Sequence, residues 1–286
     1  MSEKPNLPPR AVLAGCRLLS SALLVLLLES CASPIPDRPA ADFSLEQVER
    51  ALDEGSLAAA MAGLPGLLEA FPDDPRVLAL AVRTYARADR TGPLENATRR
   101  LLESDPANAY ALEQLGLLRL EEGHLASAEN YLTLAVAEEP SRWMAWNGLG
   151  VIADLDSRFT EAQASFRRAL DIVPGHPKVL ANLGWSLILA EKPELAEPLL
   201  RQAVAIAPDS ATTRSNLAFS IALQGRYEEA ISLYERHYDR SVAANNVGYA
   251  AMLRDDKAAA RRYLNMALEL KPNYYRKAAN NLAGLR

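Results

Sequence analysis

The chain carries a repeating pattern of small, apolar and proline positions with a period of 34 residues. Five prolines mark the period, each 34 residues from the next: Pro72, Pro106, Pro140, Pro174 and Pro208. Alignment on them gives blocks that start at Ala41, Pro75, Ala109, Trp143, Pro177 and Ala211, and a seventh block that starts at Ser241. A fixed period of this length indicates a repeat protein in which each repeat is one supersecondary unit.

Small residues recur at matching places within the blocks. One position holds Gly116, Gly150, Gly184, Ala218 and Gly248, and another holds Ala128, Ala162, Ala196, Ala230 and Ala260. A larger side chain at a point where two helices cross would push their backbones apart. The proline at the end of a block ends the second helix and turns the chain into the next block. Each block therefore predicts two antiparallel helices.

The block from Trp143 resembles the tetratricopeptide repeat (TPR), whose pattern spaces Trp, Leu, Gly, Tyr, Ala, Phe, Ala and Pro. The block has Trp146, Leu149, Gly150, Ala162, Phe166, Ala169 and Pro174, with Ala153 at the tyrosine position. The resemblance implies an all-α fold, a right-handed superhelix (α-solenoid) of helix-turn-helix units. We expect about seven units over residues 42–274 and a polar capping helix over residues 275–286.

Three blocks depart from the pattern. The first two are degenerate, and the first lacks the glycine. The sixth block runs only 30 residues from Ala211 to Ser241 and lacks its proline. A loss of four residues removes about one helical turn, so we expect the sixth unit to be shortened.

The N-terminus resembles a bacterial lipoprotein signal. A basic leader precedes an 11-residue stretch of mainly apolar residues at 18–28, which is too short to span a membrane comfortably but suits a signal peptide. The sequence Leu28-Glu29-Ser30-Cys31 follows, and Glu29 departs from the family pattern. We expect cleavage of residues 1–30, acylation of Cys31 and a Pro-rich tether over residues 31–41. The alternative is an uncleaved anchor in which Cys31 is incidental.

The same resemblance implies a location. Ala32 follows Cys31, whereas aspartate is the usual inner-membrane retention signal in enterobacterial lipoproteins. By this analogy the protein is lipid-anchored at the periplasmic face of the outer membrane of a Gram-negative bacterium.

Composition narrows the possible functions. The chain has 286 residues and a net charge of −5, which gives no broad attraction to nucleic acid. Two cysteines and three histidines argue against a disulfide scaffold and a structural zinc site. Metalloprotease, hydrolase and nucleotide-binding motifs are absent from the sequence. We expect a protein without catalytic activity, metal, cofactor or small-molecule substrate.

TPR proteins bind partners with the first helix of each unit, and the resemblance assigns candidate residues here. The ninth position of these helices holds Arg83, Leu117, Val151, Trp185, Phe219 and Tyr249, so the second half carries an aromatic row. The fifth or sixth position holds Asn147, Asn182, Asn216, Asn245 and Asn246. We predict that these asparagines, with Val151 and the three aromatic residues, form a groove for a protein segment. The alternative is that the asparagines brace their own helices and the aromatic rings only pack. The Lys/Arg clamp of TPR domains that bind a terminal carboxylate is absent.

The last block and the tail resemble the TadD family, the TPR lipoproteins of tight-adherence (Tad, Flp-type) pilus machines. The resemblance rests on residues 243–253, 260–264 and 272–282. It implies a pilotin-like role in assembling the outer-membrane secretin, with the secretin or another pilus-assembly component as partner. The alternatives are a type IV pilotin of the PilF/PilW kind, an NlpI-like scaffold for peptidoglycan hydrolases, and a TPR domain that regulates an enzyme.

Overall fold

The computed structural model describes residues 44–271 and 276–285. The predicted signal peptide, the lipidated Cys31 and the tether lie outside these described residues. All the described residues belong to a single unit that spans residues 41–286.

Fifteen α-helices make up the regular structure of the described residues. They are α1 (Leu45–Asp53), α2 (Leu57–Ala70), α3 (Pro75–Arg87), α4 (Thr91–Ser104), α5 (Ala109–Glu121), α6 (Leu125–Glu138), α7 (Trp143–Leu155), α8 (Phe159–Ile172), α9 (Pro177–Leu189), α10 (Pro193–Ile206), α11 (Ala211–Leu223), α12 (Tyr227–Tyr234), α13 (Arg240–Leu253), α14 (Lys257–Leu270) and α15 (Arg276–Ala283). None of these helices is long and apolar enough to cross a membrane.

The helices pack as successive pairs, which confirms the predicted all-α TPR superhelix. Helices α3, α5, α7, α9 and α11 begin at the residues where the 34-residue blocks begin, and α13 begins one residue before its block. The shortening of the sixth unit falls in its second helix, because α12 has 8 residues whereas α10 and α14 have 14 each. Helix α15 packs on α14 and α13 at the end of the array.

Glycine is required where the two helices of a unit cross. A Cβ atom at Gly150 would lie 2.5 Å from the ring of Phe166, and one at Gly184 would lie 2.6 Å from Leu200 Cγ. Phe166 and Leu200 are fully buried. These bulky side chains fill the space that the missing Cβ leaves, so the recurring glycines set how closely the helices approach.

A left-handed residue follows the first helix of every pair. These residues are Gly55, Asp89, Gly123, Ser157, Glu191, Gly225 and Asp255, with φ between 51° and 83°. The left-handed conformation reverses the chain into the second helix, and glycine adopts it without a Cβ penalty. At Glu191 (φ 60°) the turn carries a charged side chain instead, beside the groove described next.

Candidate binding groove

Three aromatic side chains form a continuous row across successive repeats. Trp185 on α9 and Phe219 on α11 have ring centroids 6.1 Å apart and planes tilted by 35°. Phe219 and Tyr249 on α13 are stacked, with centroids 6.2 Å apart and planes 12° apart. Because the three residues occupy the same position in three consecutive repeats, the solenoid brings side chains 30 or more residues apart in sequence into one strip.

A second row of apolar side chains lies about one helical turn further along the same helices. It consists of Leu189, Leu223 and Leu253, which were not among the predicted site residues. Both rows line a groove of about 590 Å³. The period did contain a signal for the second row, because Leu155, Leu189 and Leu223 are each 34 residues apart.

Much of this apolar lining is accessible to solvent. Trp185 and Tyr249 are 36% and 43% exposed, and Leu253 is 57% exposed. Phe219 and Leu223, in the middle repeat, are only partly buried and pack against the core. Large apolar side chains that are clustered and exposed mark interaction surfaces more often than single exposed residues do. The geometry therefore suits a partner that buries apolar side chains here.

The predicted asparagines bond mainly to one another and to neighbouring helices. Asn182 Nδ2 donates to Asn147 Oδ1 at 2.8 Å. Asn245 Nδ2 donates to Asn246 Oδ1 at 3.2 Å, and Asn281 of α15 donates to Asn245 Oδ1 at 3.2 Å. Asn147 and Asn245 are buried, whereas Asn182 and Asn246 are partly exposed. These bonds join successive repeats, so the asparagines do more than brace their own helices.

Asn216 and Val151 are the remaining predicted site residues. Asn216 is partly exposed on α11, three residues before Phe219. Val151 is partly buried and packs against the core through α7, one repeat before Trp185. The structure thus places both on the helix face that carries the aromatic row, and their role in binding stays a prediction.

The equivalent positions near the start of the array are charged rather than apolar. Arg83 forms a 2.6 Å ion pair with Asp53, and Arg87 Nη1 donates to the carbonyl of Leu52 at 2.6 Å. Glu113, at the position equivalent to Asn147, is 1% exposed, and burial raises the pKa of its carboxyl. The apolar groove is accordingly confined to the repeats of α9, α11 and α13.

Charged groups border the groove. Glu191 and Glu194 lie at the turn from α9 into α10, and Arg254 follows α13. Within residues 44–271 and 276–285, no group of three or more His, Cys, Asp or Glu side chains is arranged to hold a metal ion. What this arrangement offers is apolar contact area with charges at its edges, which is suited to recognition of a polypeptide.

Comparison with known proteins identifies the repeats. Models of the tetratricopeptide repeat match residues 113–177, 155–211 and 219–247. With the helix-pair architecture, these matches show that the chain is a tetratricopeptide repeat protein. TPR proteins bind other proteins, and the exposed groove agrees with such a function.

Two curated relatives share part of the sequence. A TPR repeat-containing protein of Pseudomonas aeruginosa is 33% identical over 109 residues, which are 38% of this chain and 18% of that protein. Protein FlbA of Caulobacter vibrioides is 26% identical over 217 residues, which are 74% of this chain and 36% of that protein. The chain therefore spans well under half the length of either relative.

Two solved structures illustrate the shared fold. YrrB, described as a TPR protein with an unusual peptide-binding site, has a TM-score of 0.53 and 22% identity, and the match covers 65% of this chain and 97% of YrrB. PilF of Pseudomonas aeruginosa has a TM-score of 0.54 and 18% identity, and the match covers 78% of this chain and 99% of PilF. At these identities the likeness concerns the fold.

Proposed function

We propose that this protein is a non-catalytic adaptor that binds a segment of a protein partner in the groove between Trp185, Phe219 and Tyr249. The observation that carries the proposal is the row of three rings at 6.1 and 6.2 Å spacing. Each ring and the leucine one turn beyond it can be covered only by an apolar surface from outside the lining. Burial of aromatic anchors is the commonest source of binding energy at protein interfaces.

The setting that we propose is the assembly of a Tad/Flp pilus, with a pilotin-like role toward the secretin or another pilus-assembly component. Its support is the resemblance of the last repeat and the tail to the TadD family. A fold shared with PilF is compatible with this setting, although 18% identity bears on the fold alone. YrrB offers a precedent, since its description assigns a peptide-binding site to a TPR protein of similar fold.

The proposal includes a lipid anchor on Cys31 at the periplasmic face of the outer membrane. Its support is the apolar stretch at residues 18–28 that leads to Leu28-Glu29-Ser30-Cys31. More than one acyl chain is needed for stable attachment, because a single chain binds a membrane only reversibly. In the variant Cys31→Ser, metabolic labelling with a fatty acid should yield an unlabelled, uncleaved precursor. Label retained at the wild-type level would refute the anchor without affecting the groove.

The binding role is tested by co-purification of the secretin from outer membranes. The double variant Trp185→Ala/Phe219→Ala should lose two anchors, each contributing about 2 kcal/mol, and lower the affinity at least a hundredfold. Phe71→Ala and Leu195→Ala are matched controls, since these side chains are 55% and 59% exposed outside the groove. Helicity and thermal melting show whether each variant is folded. Undiminished co-purification by a folded double variant would overturn the proposal.

A further inference from the structure

The two ends of the groove carry opposite charge. Glu191 and Glu194 line it at the turn between α9 and α10, and Arg254 lines it at the end of α13. Lys192, which lies between the two glutamates in sequence, does not line the groove. One end is therefore acidic and the other basic, with the aromatic row between them.

The acidic end is open to solvent. Glu191 adopts a left-handed backbone conformation (φ 60°), the conformation that ends the first helix of every pair, and its side chain is exposed. Glu194 is exposed in the first turn of α10. Both carboxylates are thus available to a partner's cation, and they lie close enough together to line the same cavity.

The basic end is held in place by the fold. Arg254 Nη1 donates to the carbonyl of Leu223, and the guanidinium lies over Gly225, where a Cβ atom would be 3.3 Å from Nη2. The nearby Asp256 accepts bonds from Tyr227 Oη at 2.9 Å and from the Ala259 N–H at 3.0 Å. A guanidinium has five N–H donors, so one bond leaves Arg254 able to take a carboxylate.

We infer that the groove takes an extended segment with apolar side chains at three alternate positions, a basic residue at the Glu191 end and an acidic residue at the Arg254 end. Alternate side chains on one face of an extended segment are about 6.6 Å apart. The rings are spaced by 6.1 and 6.2 Å, which matches this interval. The inference rests on the proposed function, because it specifies the partner segment of the same groove.

Four fluorescein-labelled peptides test the inference by fluorescence anisotropy. Each has the core Leu-Ala-Leu-Ala-Leu, flanked at either end by two lysines or two glutamates: basic–acidic, acidic–basic, basic at both ends, and acidic at both ends. Nine residues are too few for a stable helix in water, so the peptides present extended segments. One mixed peptide should bind at least threefold more tightly than either uniform peptide at low salt, and the better one reports the chain direction. The advantage should shrink at 1 M salt.

Charge reversal on the protein sharpens the test. Glu191→Lys with Glu194→Lys should shift the preference to the peptide that is acidic at both ends, and Arg254→Glu should shift it to the one that is basic at both ends. Glu103→Lys with Glu138→Lys is the matched control, because these exposed glutamates lie on α4 and α6, away from the groove. The control should leave the preference unchanged.

The outcomes separate this inference from the proposed function. Equal binding of all four peptides that is lost in Trp185→Ala would overturn the charge polarity while the groove stands. No binding of any peptide at 1 mM would overturn the extended, charge-flanked segment, and co-purification of the secretin would still decide the groove. An equal shift in the control pair would assign the preference to net charge and overturn the inference.

Discussion

The Asn182 side chain on α9 donates a 2.8 Å hydrogen bond to Oδ1 of Asn147 on α7. The two residues belong to the first helices of successive repeats, and Asn147 is 7% exposed. A buried amide oxygen is costly without a donor, so this bond stabilises one particular packing of the two helices. Similar amide contacts link α13 to α15 through Asn245 and Asn281.

Loss of the donor should destabilise the array. In Asn182→Ala, Asn147 Oδ1 loses its partner, and we expect a loss of about 1–3 kcal/mol in the free energy of unfolding. Urea denaturation measures it, and a double-mutant cycle with Asn147→Ala isolates the coupling. Asn216→Ala is the control at the equivalent position of α11 and should change stability by less than about 0.5 kcal/mol. Additive single effects would show that the hydrogen bond contributes nothing.

The crossing glycines should reject even a methyl group. A Cβ at Gly184 would lie 2.6 Å from Leu200 Cγ, so Gly184→Ala should cost about 1–3 kcal/mol. The matched control is Gly66→Ala, in α2, where a Cβ would meet nothing within 4 Å. Since alanine is the better helix former, that variant should gain about 0.5–1 kcal/mol. Equal melting temperatures for both variants would contradict the packing of α9 on α10.

The buried Glu113 should make stability depend on pH. Burial raises the pKa of its carboxyl from the ordinary value of 4.5, against the opposing effects of Arg142 and the Ala145 N–H. The Ala145 N–H lies 3.1 Å from Oε2, and Arg142 Nη1 lies 3.6 Å from Oε1. The folded state therefore holds the proton more tightly than the unfolded state.

The sign of this dependence follows from the direction of the shift. The contribution of Glu113 is fully present below its ordinary pKa and is lost as the pH rises through the raised value. Relative to Glu113→Gln, the wild type should thus lose unfolding free energy on going from pH 4 to neutral pH. Parallel pH profiles of the two proteins in urea denaturation would show that the carboxyl titrates alike in both states.

The fold could be predicted from the sequence because each repeat carries the same local signals. The glycine positions, the prolines and the block starts all depend on contacts within one helix pair or with the next. The aromatic row was predictable for the same reason, since Trp185, Phe219 and Tyr249 share one repeat position.

Other features of the groove depend on contacts that the period does not specify. The recurring leucines at Leu189, Leu223 and Leu253 are equally compatible with a buried core, and only the packing shows them at the surface. The bond between Asn182 and Asn147 depends on side-chain conformations in two different repeats. Arg254 lies at the rim because its guanidinium bonds to the Leu223 carbonyl.

Site-specific photo-crosslinking in cells tests the partner-binding groove most directly. A benzophenone amino acid is placed in turn at Tyr249, at Leu253 and at Leu195, which are 43%, 57% and 59% exposed. Leu195 lies on α10 outside the groove and controls for exposure. We predict that the two groove positions capture one partner chain, at one segment of its sequence, and that Leu195 does not. Capture from Leu195 alone, or equally from all three positions, would contradict binding in the groove.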